Sequence, residues 1–135
     1  KEDDNIRKFE HLGTRPFYIE EAVDKAIDFY DMIGGKRKAE SLHYLKNYWM
    51  NKVKDIPKVK LHTSFKKEFG CAIGLVSVEG KTPGELDSFL WEHHKIHSVG
   101  IVWENISGVR ITPNVYTSAK NLDRLVEGIE KFAKK

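Results

Sequence analysis

Apolar residues recur at helical spacing in the first half of the chain. Between residues 19 and 33 they fall three and four positions apart, which is the pattern of an amphipathic helix, and Gly34 and Gly35 follow as a stop signal. A second apolar stripe consists of Leu42, Leu45, Trp49, Val53 and Ile56. This stripe predicts another helix, which Pro57 ends because proline cannot continue the hydrogen-bond ladder.

The second half of the chain contains strand patterns. Residues 59–62 alternate between apolar and polar and predict a half-buried strand, whereas residues 70–78 are apolar on both faces, as in a central strand. Gly74 within that run indicates a bulge or the close approach of another element. Residues 99–103 and 108–111 alternate again and predict a hairpin.

Two further helices have clear start signals. Thr82, Pro83 and Glu85 supply a capping hydroxyl, a proline at the first helical position and a glutamate at the third. Ser118 is the candidate cap of a last helix, whose apolar positions recur at helical spacing up to residue 133. The order helix, helix, strand, strand, helix, strand, strand, helix predicts an α+β fold with a small, mainly antiparallel sheet covered by helices on one side.

The composition is that of an ordinary globular domain. The chain has 135 residues, 40% of them hydrophobic and 32% charged, so we expect one domain with a substantial core. Lys and Arg number 23 against 20 Asp and Glu and are interleaved with them, which gives no nucleic-acid footprint. No apolar run has membrane-spanning length and no leader is evident, so we expect a cytoplasmic protein without a membrane partner. The single cysteine, Cys71, lies in an apolar run, and we expect a buried thiol.

The chain's clearest candidate for chemistry is an arginine in residues 108–116, which read Gly-Val-Arg-Ile-Thr-Pro-Asn-Val-Tyr. In a strand, Val109 and Ile111 share one face, Arg110 faces the other way, and Pro113 ends the ladder because it lacks an N–H. A guanidinium can give a carboxylate two parallel hydrogen bonds. The pattern alone allows either this role or a surface arginine on a short edge strand.

A second candidate site lies in residues 9–16, which read Phe-Glu-His-Leu-Gly-Thr-Arg-Pro. Gly13 permits a backbone conformation that other residues avoid, and Pro16 biases Arg15 towards extended geometry. These residues predict an ordered turn before the first helix. The hydroxyl of Thr14 could cap that helix or bind an anion beside the exposed backbone of Gly13.

Both segments resemble the class V aminotransferases, which are fold-type-I enzymes dependent on pyridoxal 5'-phosphate (PLP). Residues 108–116, followed by Ser-Ala-Lys-Asn-Leu-Asp-Arg-Leu, resemble the C-terminal end of that family. Phe-Glu-x-x-Gly-Thr resembles the segment after its large domain, and Gly-Thr-Arg is typical of its isopenicillin N epimerase-like branch, near the cysteine desulfurase-like one. The resemblance extends from Ile6 to about Ala133 and implies the α+β fold of the family's C-terminal small domain.

The resemblance also implies roles for individual residues. Arg110 would bind the α-carboxylate of an amino-acid substrate, and Arg15 would face the same substrate. Gly13 and Thr14 would contribute to the site for the cofactor phosphate, commonly across the interface of a homodimer. The Schiff-base lysine of the family belongs to the large domain, upstream of Lys1, and no segment here resembles its surroundings.

We therefore expect residues 1–135 to be a single, detached C-terminal small domain of a larger PLP-dependent enzyme. Alone it would be inactive and would not hold the cofactor. Its partners would be the large domain of the parent chain, an amino-acid substrate and a second copy of the enzyme. Transamination, lyase chemistry and epimerisation all remain open, because the residues here do not decide which bond to the α-carbon breaks.

A stand-alone α+β interaction module is the competing prediction, with Arg110 and Thr14 as plain surface groups. A detached domain should expose an apolar face where the large domain docks, whereas a stand-alone module should have that surface covered or polar. The apolar residues in question are Phe9, Leu12, Phe17 and Tyr116.

A third possibility uses the histidines His93, His94 and His97 as a general base or as metal ligands. His93 and His97 are four residues apart, but no glutamate lies between them in the His-Glu-x-x-His arrangement of metal hydrolases. The sequence also places no nucleophile or orienting acid for a general base. We therefore predict no metal site here.

Overall fold

The computed structural model describes residues 4–10, 13–14 and 16–135. The chain forms two compact units, Lys1–Gly35 and Lys36–Lys135. The first unit contains a 3-10 turn at Ile6–Phe9 and helix α1 at Phe17–Ile33. The helix predicted here is confirmed, and it ends at Gly34, whose φ of 85° lies in the left-handed region.

The remaining elements follow in the predicted order. Helix α2 spans Gly35–Val53, so Gly35 begins a helix instead of belonging to the break. The other elements are β1 (Val59–Leu61), a 3-10 turn (Lys67–Phe69), β2 (Gly74–Val78), α3 (Pro83–His94), β3 (Val99–Trp103), β4 (Ile106–Ile111) and α4 (Ala119–Ala133). The α+β prediction is confirmed.

The four strands form one antiparallel sheet in the order β1-β2-β4-β3. Strand β4 is therefore central, which rules out the short edge strand that one of the two alternatives for Arg110 assumed. The hairpin between β3 and β4 is tighter than predicted, because β4 begins at Ile106 and only Glu104 and Asn105 form the turn. Strand β2 is shorter than predicted, since residues 70–73 stay outside the ladder.

The core lies between one face of the sheet and helices α2, α3 and α4. Val76 and Val78 of β2 and Val109 and Ile111 of β4 are buried on this face. The helices contribute the rest of the core: Leu45, Trp49, Met50, Val53, Leu86, Phe89, Leu90, Leu122, Leu125, Ile129, Phe132 and Ala133. Within the unit Lys36–Lys135, all the core residues of the strands lie on this one face, and we call the opposite face the open face.

The start signals of α3 and α4 are confirmed. Thr82 accepts a hydrogen bond from the backbone N–H of Glu85, whose carboxylate accepts one from the backbone N–H of Thr82. Ser118 and Asn121 form the equivalent reciprocal pair at α4. Each pair satisfies two N–H groups that have no partner within the helix.

A buried lysine fastens the connection between β1 and β2 to helix α2. Lys46 has no exposed surface, and its Nζ donates a 2.7 Å hydrogen bond to the carbonyl oxygen of Ser64. Asn47 reaches the next carbonyl, that of Phe65, at 3.4 Å. This connection is therefore fixed by side chains of the helix where no strand supports it.

The prediction of a buried thiol at Cys71 is wrong. Cys71 is exposed, because strand β2 begins only at Gly74 and the residues before it lie in a surface connection. In the part of the chain that the structure describes, no helix combines the length and apolar character needed to cross a membrane.

Candidate functional site

Arg110 lies on the open face of the sheet, one residue before the end of β4. The alternation of β4 sends Val109 and Ile111 into the core and Arg110 to the other side. The register makes Leu75 of β2 and Val99 of β3 its direct cross-strand partners. Arg110 is thus held by a regular ladder on both sides, with an aliphatic neighbour in each direction.

The guanidinium of Arg110 is exposed and donates no hydrogen bond to, and forms no ion pair with, the residues that the structure describes. None of the four strands contains an Asp or Glu, and the only other charged strand residue is Lys60. The open face therefore carries positive charge without an internal counter-ion. An arginine in this setting can bind an incoming carboxylate through both edges of its fork.

His62 lies in the same cross-strand row as Arg110. Its backbone N–H donates to the carbonyl of Leu75, and Leu75 pairs with Arg110, so Leu75 separates the two residues. With about 4.8 Å between neighbouring strands, their backbones are about 10 Å apart. The ring of His62 is 2.7 Å from the hydroxyl of Ser77, measured from Nε2 to Oγ.

The surroundings of His62 favour its neutral imidazole. Partial removal of the ring from solvent, and secondly the positive charge of Lys60, lower the pKa of His62 below its usual 6.5. The alternation of residues 59–62 places Lys60 and His62 on one face but does not by itself bring His62 near Arg110. The missing information was the strand order, which brings β1 and β4 to opposite sides of β2.

The turn at Gly13 and Thr14 is exposed, and Gly13 has a φ of 75°. The prediction that Gly13 adopts a conformation unfavourable for other residues is thus confirmed. The N-cap of α1 is Pro16, which makes no side-chain capping bond, so Thr14 is not the cap of this helix. Arg15 lies outside the described residues. Thr14 and Arg110 belong to different units of the chain.

The three histidines near the end of α3 do not form a common site. His93 stacks on Phe89 with 4.6 Å between ring centroids, His94 is buried, and His97 meets the edge of Trp91 at 6.4 Å. Burial is the main cause that lowers the pKa of His94 below its usual value. No group of three or more metal-ligating side chains is assembled among the described residues.

The apolar residues named as a possible docking face are exposed where they are described. Phe9 keeps 68%, Phe17 70% and Tyr116 83% of its surface accessible. Leu12 lies outside the described residues. Exposure of large aromatic side chains is what a domain separated from a larger protein would show.

Comparison with known proteins identifies the fold. No protein-family model matches the chain. No curated protein shows a significant match to it. Among solved structures, the chain is similar to the apo form of a cysteine desulfurase from Thermococcus onnurineus, with a TM-score of 0.69 and 17% identity over 80% of this chain and 29% of the other. It is likewise similar to an alanine–glyoxylate aminotransferase from Nostoc sp., with a TM-score of 0.68 and 18% identity over 88% of this chain and 32% of the other.

The chain thus has the fold of a part of these two enzymes and spans about a third of their length. At this level of identity the similarity establishes the fold alone. The fold expected from the resemblance to class V aminotransferases is confirmed, whereas the branch of the family stays a prediction.

Proposed function

We propose that this chain is the C-terminal small domain of a larger PLP-dependent enzyme of the class V aminotransferase family, and that Arg110 binds the α-carboxylate of its amino-acid substrate. The observation that carries the proposal is the setting of Arg110: an exposed guanidinium without an acidic partner among the described residues, on a sheet whose strands contain no Asp or Glu. The shared fold with two enzymes of this kind supports it.

The ladder on both sides of Arg110 explains how the residue would orient a substrate. Because β2 and β3 fix the backbone of β4, the Cα–Cβ bond of Arg110 has a set direction, away from the core. Leu75 and Val99 flank it with aliphatic surface on which the methylene stem of Arg110 can lie, while the guanidinium stays exposed for a ligand. The planar guanidinium can donate two parallel hydrogen bonds to one carboxylate, which also fixes the rotation of the bound amino acid. The ammonium group of a lysine would not fix this rotation.

Gly13 and Thr14 are suited to form part of the site for the cofactor phosphate. The left-handed backbone at Gly13 exposes main-chain N–H groups, and the Thr14 hydroxyl is not used as a helix cap, so both groups can hydrogen-bond a phosphate. The chemistry that PLP supplies when bound is an electron sink for bonds to the α-carbon of an amino acid. Arg15 would be a second contact to the substrate.

The remaining parts of the proposal rest on the sequence resemblance. The parent would be a cytoplasmic homodimer of the isopenicillin N epimerase-like branch, and its large domain would supply the Schiff-base lysine. The small domain alone would be inactive. Transamination, lyase chemistry and epimerisation are the reaction classes among which the parent would be found.

The test uses the complete protein encoded by the gene that contains this sequence, reconstituted with PLP and freed of excess cofactor. The proposal predicts a visible absorption band that stays with the protein and changes when an L-amino acid is added, but not when the corresponding acid without an amino group is added. A colourless protein would contradict it. In that case the chain would be the stand-alone interaction module instead.

A further inference from the structure

A cavity of about 260 Å³ lies at the end of β4, between the residues that follow α3 and the first turns of α4. Its floor is apolar, because Ile111, Leu122 and Leu125 line it and are all buried. The cavity does not include Arg110, whose side chain leaves β4 on the opposite face from Ile111. It is therefore separate from the site proposed for the substrate carboxylate.

The rim of the cavity is cationic. Lys95, His97 and Arg124 line it and are exposed, and none of the lining residues in the described part of the chain is an Asp or Glu. The hydroxyl of Thr112 and the side-chain amide of Asn121 add neutral hydrogen-bonding groups. Lys95 and Arg124 thus bring two formal positive charges to the rim of a cavity whose floor consists of buried aliphatic side chains.

The end of α3 fixes one side chain and one backbone position of the rim. Arg124 donates a hydrogen bond to the carbonyl oxygen of His94, the last residue of that helix. Lys95 is the C-cap and has φ 52° and ψ 42°, in the left-handed region. Glycine usually occupies this position, because the Cβ of any other residue is strained there. The Nζ of Lys95 lies 5.9 Å from the centroid of the Trp91 ring, beside the cavity, so the ammonium turns from this ring to reach a ligand.

We propose that this cavity binds a small organic acid that has one carboxylate and a short branched apolar body. The carboxylate would be held by Lys95, His97 and Arg124, and the body would cover the floor formed by Ile111, Leu122 and Leu125. The volume suits a ligand smaller than a typical drug, because pockets for drug-sized molecules measure roughly 300–1,000 Å³. This site does not depend on the proposed function, since no residue of the substrate site belongs to it.

The experiment titrates the 135-residue chain, labelled with ¹⁵N, with 3-methylbutanoate and follows the backbone amide signals by NMR. The expected result is a saturable shift of the signals of Thr112 and Asn121, with a Kd on the order of 1 mM, as suits so small a ligand. The neutral 3-methylbutanamide should cause no saturable shift. Inorganic phosphate should not saturate the site either, because it cannot use the apolar floor.

Lys95→Gly is the decisive variant because it removes the charge and relieves the left-handed backbone at once. The fold should be retained or become more stable, while affinity for 3-methylbutanoate should fall about tenfold, as for the loss of one hydrogen bond to a charged group. Lys58→Gly is the matched control, because Lys58 also has a positive φ, 68°, and lies outside the cavity. It should leave the affinity unchanged.

Three results would overturn the proposal. The first is the absence of a saturable shift with 3-methylbutanoate, and the second is an equal shift with the neutral amide. The third is unchanged affinity in Lys95→Gly. If inorganic phosphate saturates the cavity and 3-methylbutanoate does not, the cavity takes inorganic anions and the organic-acid assignment is wrong.

Discussion

Gly74 of β2 lies directly against the indole ring of Trp49 on α2, so closely that a Cβ on Gly74 would stand 2.4 Å from Cζ2 of Trp49. Trp49 has no exposed surface and cannot move aside into solvent. The sequence indicated a bulge or a close approach at Gly74, and the close approach is confirmed. This contact sets the distance between α2 and the centre of the sheet.

We therefore expect Gly74→Ala to destabilise the fold by about 1–3 kcal/mol, the usual cost of forcing extra atoms into a packed core. Gly84→Ala is the control, since a Cβ there meets nothing within 4 Å and alanine is favoured in a helix. Urea unfolding followed by tryptophan fluorescence measures both. Equal stability of the two variants would show that the Trp49 contact is not tight.

The cap of α3 gives a second stability prediction. Thr82→Ala removes the hydroxyl that accepts from the backbone N–H of Glu85 and should cost about 1 kcal/mol. Thr82→Ser keeps a capping hydroxyl and should stay close to the parent protein. A Thr82→Ser variant as unstable as Thr82→Ala would mean that the methyl group matters and the cap does not.

The same cap predicts a response to acid. Hydrogen bonds from Thr82, the backbone bond first, hold the pKa of Glu85 below its usual 4.5. Because the folded-state pKa is lowered, this contribution is present above the usual pKa and is lost as the pH falls through the folded-state value. The stability difference between the parent protein and Glu85→Gln should therefore shrink below about pH 4.5. A difference independent of pH would contradict the charged capping bond.

The lowered pKa of His62 leads to a prediction about stability at mildly acidic pH. Its pKa is lowered in the folded protein, so the unfolded chain binds the proton more readily and stability should fall as the pH drops below 6.5. His62→Gln keeps a polar group for Ser77 and should remove part of this loss. The lowered pKa of His94 accounts for a further part.

The measurement for His62 is the free energy of unfolding at about pH 7.5 and about pH 5.5, either side of the usual histidine pKa. The parent protein should lose more stability between these values than His62→Gln does. His97→Gln controls for the loss of one exposed imidazole, because His97 contributes to neither the His62 nor the His94 shift of the pKa. A loss equal in the parent and in His62→Gln would show that His62 does not titrate with folding.

The sequence predicted the elements well where short-range signals decide them. The capping residues of α3 and α4 and the apolar periodicity of the helices depend on neighbours within one or two turns, which a sequence displays directly. The wrong predictions concern features that depend on pairing between residues far apart in the chain. Strand β2 starts at Gly74 because the pairing with β4 begins at that residue. Cys71 precedes the strand and is therefore exposed.

Only part of the candidate site could be predicted from the sequence. Alternation in residues 108–111 was enough to turn Arg110 away from the core. The sheet order and register bring His62, Leu75 and Val99 into its row, and these depend on pairing between strands far apart in the chain. The cavity beyond β4 likewise needs the end of α3 and the start of α4 in place before its cationic rim exists.

The role of Arg110 is tested by the affinity of the PLP-loaded complete protein for an L-amino acid. The visible absorption band reports binding, and the parent protein is compared with Arg110→Ala. Losing a bidentate bond to a carboxylate should weaken binding roughly 10- to 150-fold, and the amine without that carboxylate should bind both proteins equally. Lys60→Ala removes the other strand cation of the open face and should have little effect. An Arg110→Ala protein that binds the amino acid as tightly as the parent would contradict the role of Arg110 and with it the proposed function of this domain.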